Sequence, residues 1–177
     1  MSNNKRISQP KQYILLDTNI LQYCGDRFAS VVFLPYLTEL LQRGFDLAIS
    51  EITIYELLKG ASINKESEMT KILRLFQRYF VTENVLVASA QLDTIYRLEG
   101  VSSNQIEDCD KIIAATSILT GSLIMTANAR DFPWPFFQEV ERKPMIYLIK
   151  HNRAKSILTS LLMPDVSIIN QRLGERP

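Results

Sequence analysis

The stretch DKIIAATSILTGSLIMTANARDF, residues 110–132, changes its hydrophobic period partway along, and that change decides the fold. Ile112, Ile113, Ala115, Ile118 and Leu119 recur at the spacing of one helical face, which predicts a helix beginning near Asp110. Gly121 ends it, because glycine takes the left-handed cap conformation without a Cβ clash. Ser122 to Met125 then fits a short buried strand, and Thr126-Ala-Asn128 opens a loop that reaches Asp131. A helix followed by a strand running back along it returns Asp110 and Asp131 to the same edge of a sheet.

Outward from this stretch, strands and helices alternate. Tyr13 to Leu16 reads as a strand buried on both faces and ends on Asp17-Thr-Asn19. Taken alone, Asp17 is a helix N-cap. Phe28 to Leu41 reads as a helix, with Pro35 predicting a start near Leu34 or a kink. Asp46 to Ser50 is a second strand, and Glu51 to Lys59 a helix that carries Glu56. Residues 64–80 have the pattern of an amphipathic covering helix, and Asn84 to Val87 that of a third strand, with a helix from about Ser89 to Glu99. Beyond an aromatic and proline turn at 132–137, Pro144 to Ile149 is the last expected strand and His151 to Met163 the last helix. The alternation predicts an α/β domain with a parallel sheet of about five strands and helices on both faces.

Composition narrows the function classes. The chain has 177 residues, 46% apolar and 22% charged with a net charge of +1, which excludes a disordered chain and predicts one globular domain. Two cysteines, Cys24 and Cys109, make neither a metal motif nor a disulfide framework and suit a reducing cytoplasm. The start of the chain lacks the apolar core of a signal peptide. The uncharged run 112–129 is broken by Gly121, hydroxyl residues and Asn128, so it reads as buried helix and strand, with no membrane span expected. His151 is the only histidine and is remote in sequence from the acids, which argues against Ser-His-Asp, Cys-His and histidine-pair mechanisms. Phosphate-cradling glycine motifs are absent.

What remains is acidic. In a parallel sheet Asp17, Glu56, Asp110 and Asp131 all fall at the carboxyl ends of strands, where ligands bind. Each alone is explained as a cap or a solvated acid. Together they repel one another unless a charge of opposite sign offsets them, and a hard cation such as Mg²⁺ or Mn²⁺ does so through oxygen ligands. Such a site can activate water for attack on a phosphodiester.

ILLDTN (14–19), ISEITIYELLKG (49–60) and DKIIAATSILTGSLIMTANARDF (110–132) resemble, in order and spacing, the three motif blocks of the PIN-domain family, and most of all its VapC-type toxin ribonucleases. The resemblance spans about residues 13–150. It implies a three-layer α/β/α domain, with residues 1–12 as a flexible N-terminus, 13–163 as the nuclease domain and 164–177 as a C-terminal tail. It further implies that Asp17, Glu56, Asp110 and Asp131 form a catalytic Mg²⁺ or Mn²⁺ site, bordered by Thr18, Asn19, Thr126 and Asn128. A cytoplasmic endoribonuclease, homodimeric and paired with a small antitoxin, is the expected protein. Arg27, Lys59, Lys111 and Arg130 flank the blocks and are candidate contacts to the RNA backbone. Two departures stand out: the chain is longer at its C-terminus, and Asp108 adds an acid before Asp110, read here as the helix cap. A catalytically silent PIN-like module that binds RNA or protein is the alternative. A haloacid-dehalogenase phosphatase is disfavoured because Asn19 stands where that family needs a second aspartate.

Overall fold

A computed structural model describes residues 11–61, 69–102 and 104–175. Six strands form one sheet in the order β3-β2-β1-β4-β6-β5. Strands β1 (Tyr13–Leu16), β2 (Asp46–Ser50), β3 (Gln77–Tyr79) and β4 (Leu123–Thr126) run parallel, whereas β5 (Phe137–Ile149) and β6 (Arg153–Pro164) run antiparallel to their neighbours. The expected sheet is therefore enlarged by one strand and made mixed.

The central strands alternate between two cores. Ile14, Leu16, Leu123, Met125 and Leu161 face the core under α1 (Thr18–Gly25) and α2 (Ser30–Gln42). Leu15, Ile124 and Leu162 face the core under α4 (Glu83–Leu98), α5 (Asp108–Thr120) and α6 (Val166–Gly174). Helix α3 (Glu51–Lys59) contributes Leu57 to the first core and Ile52 to the second. Ile14, Leu15 and Leu16 are fully buried, as a strand covered on both faces requires. Each such side chain contributes roughly 1.5–3 kcal/mol relative to exposure. Among the described residues no helix is long and apolar enough to cross a membrane.

Several elements depart from the pattern read in the sequence. Asn84 to Val87 lies inside α4, because Thr82 caps the helix by accepting from the Val85 N–H; Val85 is buried while Leu86 and Val87 are exposed. The third strand is instead the polar edge segment Gln77–Tyr79, so the covering helix expected over 64–80 ends at residue 73; its part over 64–68 lies outside the described residues. Helix α2 starts at Ser30 and runs through Pro35. The Asp26 carboxylate sets up that start by accepting from the Phe28 and Ala29 N–H groups. Residues 153–163, expected in a helix, are strand β6: Ile157, Thr159 and Leu161 alternate with Leu158, Ser160 and Leu162, and pairing with β4 and β5 overrides the apolar run. The expected C-terminal tail is helical over Val166–Gly174, capped by Asp165 and anchored by buried Ile169. Residues 1–10 of the expected flexible N-terminus also lie outside the described residues.

Gly121 ends α5 at φ +66°, with nothing within 4 Å of where a Cβ would sit. Any penalty at this position is therefore backbone conformation alone. Gly121→Ala should destabilise the fold by about 1–2 kcal/mol in urea unfolding, and Gly121→Asn by less, since asparagine tolerates the left-handed region.

Candidate active site

Strands β1 and β4 lie side by side with Leu16 opposite Met125, and the Asp17 N–H donates to the Met125 carbonyl at 3.0 Å. The ends of both strands are thereby locked in register. Asp17 is only 2% exposed. It occupies the N-cap position of α1, yet its side chain makes no capping hydrogen bond. Instead its Oδ2 accepts from Thr126 Oγ1 at 2.6 Å and from Asn19 Nδ2 at 2.5 Å. Asn19 Oδ1 in turn accepts from the Ala127 N–H at 3.0 Å, tying the start of α1 to the loop after β4. The Asp17 side chain is spent on the sheet edge.

The other acids are held in the same way. Thr18 Oγ1 donates to Glu56 Oε2, fixing α3 against α1. Asn128 Nδ2 donates to Asp131 Oδ2 at 2.5 Å, and the Asp131 N–H donates back to the Asn128 carbonyl at 3.2 Å, closing the single turn Ala129–Asp131. Asp110, in the first turn of α5, is the electrostatic centre. Burial and then the charges of Asp17, Asp131, Glu56 and Glu107 push its carboxyl up to about 8. Burial also pushes Asp17 up to about 6, with Glu56 adding to the shift and hydrogen bonds from Thr126, Thr18 and Asn19 opposing it. Asp131 is raised by burial and by Glu107, against the pull of Asn128.

Glu107 and Cys109 belong to this environment and were missed in the sequence. Glu107 precedes Asp110 by three residues, a spacing that puts the two on one side of a helix start, and it is Glu107 rather than Asp108 that occupies the N-cap position. The Cys109 thiol hydrogen-bonds Glu56 and is pushed up to about 11, first by burial and then by the Glu56 charge. Asp108 instead points outward and pairs with Lys111 at 3.1 Å.

Lys111 is turned away from the RNA-contact role expected of it. It is 4% exposed and pairs with Asp93 at 2.7 Å as well as with Asp108, fastening α5 to α4. Burial opposes its charge, but the two carboxylates outweigh that and raise its pKa. Arg27, Lys59 and Arg130 are exposed; Arg27 lies over the Phe28 ring at 4.3 Å and Lys59 near Tyr55 at 6.0 Å.

Among the described residues no three His, Cys, Asp or Glu side chains form a ready-made metal cage. Asp17, Glu56 and Asp131 are each turned to a hydroxyl or amide donor. In charge and donor type the cluster nevertheless fits a hard divalent cation: the strongest charged neighbours of Asp110 are all carboxylates. Mg²⁺ in particular keeps several waters and needs only one or two carboxylates from the protein.

No family model matches the chain. Ribonuclease VapC19 of Mycobacterium tuberculosis is 34% identical over 124 residues, covering 67% of this chain and 91% of the relative. Ribonuclease VapC1 of Methanocaldococcus jannaschii is 28% identical over 130 residues, 72% of this chain and 85% of its own. Among solved structures, a toxin–antitoxin complex from Klebsiella pneumoniae superposes with a TM-score of 0.52 at 27% identity, covering 69% of this chain and 92% of that one.

The raised carboxyls make stability depend on pH. Asp17 and Asp110 bind protons more tightly folded than unfolded, so their contribution is fully present below about pH 4 and is lost as pH rises through about 6 and about 8. The metal-free protein should show a falling melting midpoint across that window. Asp110→Asn should flatten the fall and raise the midpoint at pH 8; an unchanged profile would remove Asp110 from the cluster.

Proposed function

The chain belongs to the VapC-type ribonucleases of the PIN-domain family, and from that premise we propose that it is an Mg²⁺- or Mn²⁺-dependent endoribonuclease, the toxin of a toxin–antitoxin pair. The observation that carries the reading is the gathering of Asp17, Glu56 and Asp131 around Asp110 at the carboxyl edge of the sheet, where burial and these charges raise the Asp110 carboxyl. Such a cluster is unfavourable for folding and is suited to gathering positive charge. Asp17 and Asp110 would hold the cation, with Glu56 and Asp131 as ligands directly or through water. When bound, the cation supplies charge neutralisation at the phosphate and a water of lowered pKa. The chain's own residues do the positioning. Thr126 and Asn19 fix the Asp17 carboxylate, Thr18 fixes Glu56, and Asn128 fixes Asp131. The chain has one histidine, His151, in the turn between β5 and β6, so no histidine pair is available to activate the RNA 2′-hydroxyl. Water is therefore the nucleophile this reading requires, and the RNA 2′-hydroxyl takes no part in the attack.

An antitoxin would find an apolar cleft of about 450 Å³ lined by Leu21, Leu34, Leu37, Leu57, Ile72 and Phe76. Several large aromatic side chains are not available for such docking: Phe33, Tyr36, Phe136 and Phe137 are buried in the two cores and Phe28 packs partly buried against one of them.

Purified protein should cut RNA to products with 5′-phosphate and 3′-hydroxyl ends, and EDTA should stop it. Asp17→Asn should fold and lose cleavage by at least about a hundredfold, because a neutral amide is a poor Mg²⁺ ligand. Ends bearing 2′,3′-cyclic phosphate, or full activity in folded Asp17→Asn protein, would overturn the mechanism.

Expression of the chain alone should slow growth, and its small partner should reverse the effect. Ile72→Asp, placed in the cleft, should block that rescue while RNA cleavage in vitro persists. Normal growth with abundant folded protein would exclude the toxin role and leave the nuclease activity standing.

A further inference from the structure

The β5–β6 hairpin runs past the edge of the parallel sheet on the side where the acids lie. Pairing between β4 and β6 ends at Thr126 opposite Ser160, yet β5 and β6 go on pairing to Ile149 opposite Arg153. The seven residues from Arg153 to Thr159 at about 3.3 Å each carry the hairpin roughly 23 Å beyond the last β4 pair. Met145, Tyr147 and Ile157 pack its inner face onto the α1–α2 core, so the projection is anchored.

The charge on this hairpin is one-sided. No acidic residue occurs between Glu141 and Asp165, whereas Lys150, Arg153 and Lys155 occupy the projecting end and are exposed. Among the described residues none of the three forms an ion pair. Arg153 is opposite Ile149 and Lys155 opposite Tyr147, so both lie on the face that turns toward α1 and α2. Arg27 stands exposed at the corner between those helices. The Asp26 carboxyl, held low first by the Ala29 and Phe28 N–H groups, is lowered further by Lys155 and Arg27, which brings hairpin and corner together. With a net charge of only +1, the chain concentrates positive charge on an arm standing beside an edge rich in carboxylates.

We propose that Lys150, Arg153 and Lys155 on the projecting β5–β6 hairpin, together with Arg27, form a phosphate-binding arm that grips single-stranded RNA leading away from the cleavage point. The assignment rests on the ribonuclease reading above and deepens it. An acidic edge repels RNA, and unpaired cations on an adjoining rigid hairpin supply the opposing attraction; phosphate contacts of this kind set affinity and register without reading sequence.

The test measures binding of a fluorescein-labelled single-stranded RNA of about 20 nucleotides to the full chain in EDTA, by anisotropy across a salt series, with cleavage assayed separately in Mg²⁺. Lys150→Glu/Arg153→Glu/Lys155→Glu should weaken binding by at least about tenfold at low salt. The salt slope should fall by about 2, close to 0.7 for each lost contact. Arg153→Lys should bind as the parent does. A melting scan checks the fold of the triple variant, and Lys150→Gln/Lys155→Gln replaces it if it does not fold. A folded variant with unchanged affinity and slope overturns the arm while cleavage by the parent keeps the nuclease reading. A parent that neither binds nor cuts RNA overturns both. Variants that keep RNA affinity but lose rescue by the partner protein overturn the arm in favour of protein docking.

Discussion

Mutual repulsion among carboxylates at one sheet edge is the constraint on which the rest of this structure depends. Asp110 feels Asp17, Asp131, Glu56 and Glu107 at once, in surroundings that already disfavour its charge. Holding such a group together requires a frame that cannot relax outward. That frame is a set of neutral donors: Thr126 and Asn19 on Asp17, Thr18 on Glu56, and Asn128 on Asp131. Thr126 and Thr18 reach acids on other elements, whereas Asn19 and Asn128 hold acids two and three residues away. The hydrogen bonds therefore fix the relative positions of β1, α1, α3 and the loop after β4.

The packing beneath the edge explains why the frame is stiff. Strands β1 and β4 bury alternate residues in two separate cores, so a slip of one residue would exchange the occupants of both. Register is doubly specified where Asp17 meets Thr126. On the far side, Lys111 fastens α5 to α4 through Asp93 and fixes the start of the helix that presents Asp110. A buried lysine between carboxylates is weak support for net stability, and removing it would leave Asp93 with Arg97 at 3.1 Å while cutting the link between α5 and α4.

The C-terminal third has a different logic. Its two long antiparallel strands finish the sheet on one side and outrun it, so a nuclease-like core acquires a projecting element of opposite charge. Tyr36 on α2 and Arg43 just past its end clamp Glu141 of β5, and Lys143 reaches Glu39 at 2.6 Å, so the base of the hairpin is fixed to the helical layer. A rigid base makes the placement of the tip a property of the fold.

By itself the sequence determined the features that depend on near neighbours in the chain. The period change across residues 110–132, the Gly121 cap, and the two-sided burial of 13–16 follow from side-chain spacing and backbone sterics, and they were legible together with the four acids. Tertiary structure alone decided the rest. Asn84–Val87 and residues 153–163 exchanged helix and strand identity because a short apolar run suits either, and the choice was made by Thr82 capping in one case and pairing with β4 in the other. In the sequence Lys111 reads as a surface cation because its partner Asp93 lies on a different helix, and the coupling of Glu107 to Asp131 is hidden because it crosses from the start of α5 to the loop after β4. Local sequence fixes which conformations are cheap; which charges meet, and which of them stay unpaired, depends on contacts between residues far apart in the chain.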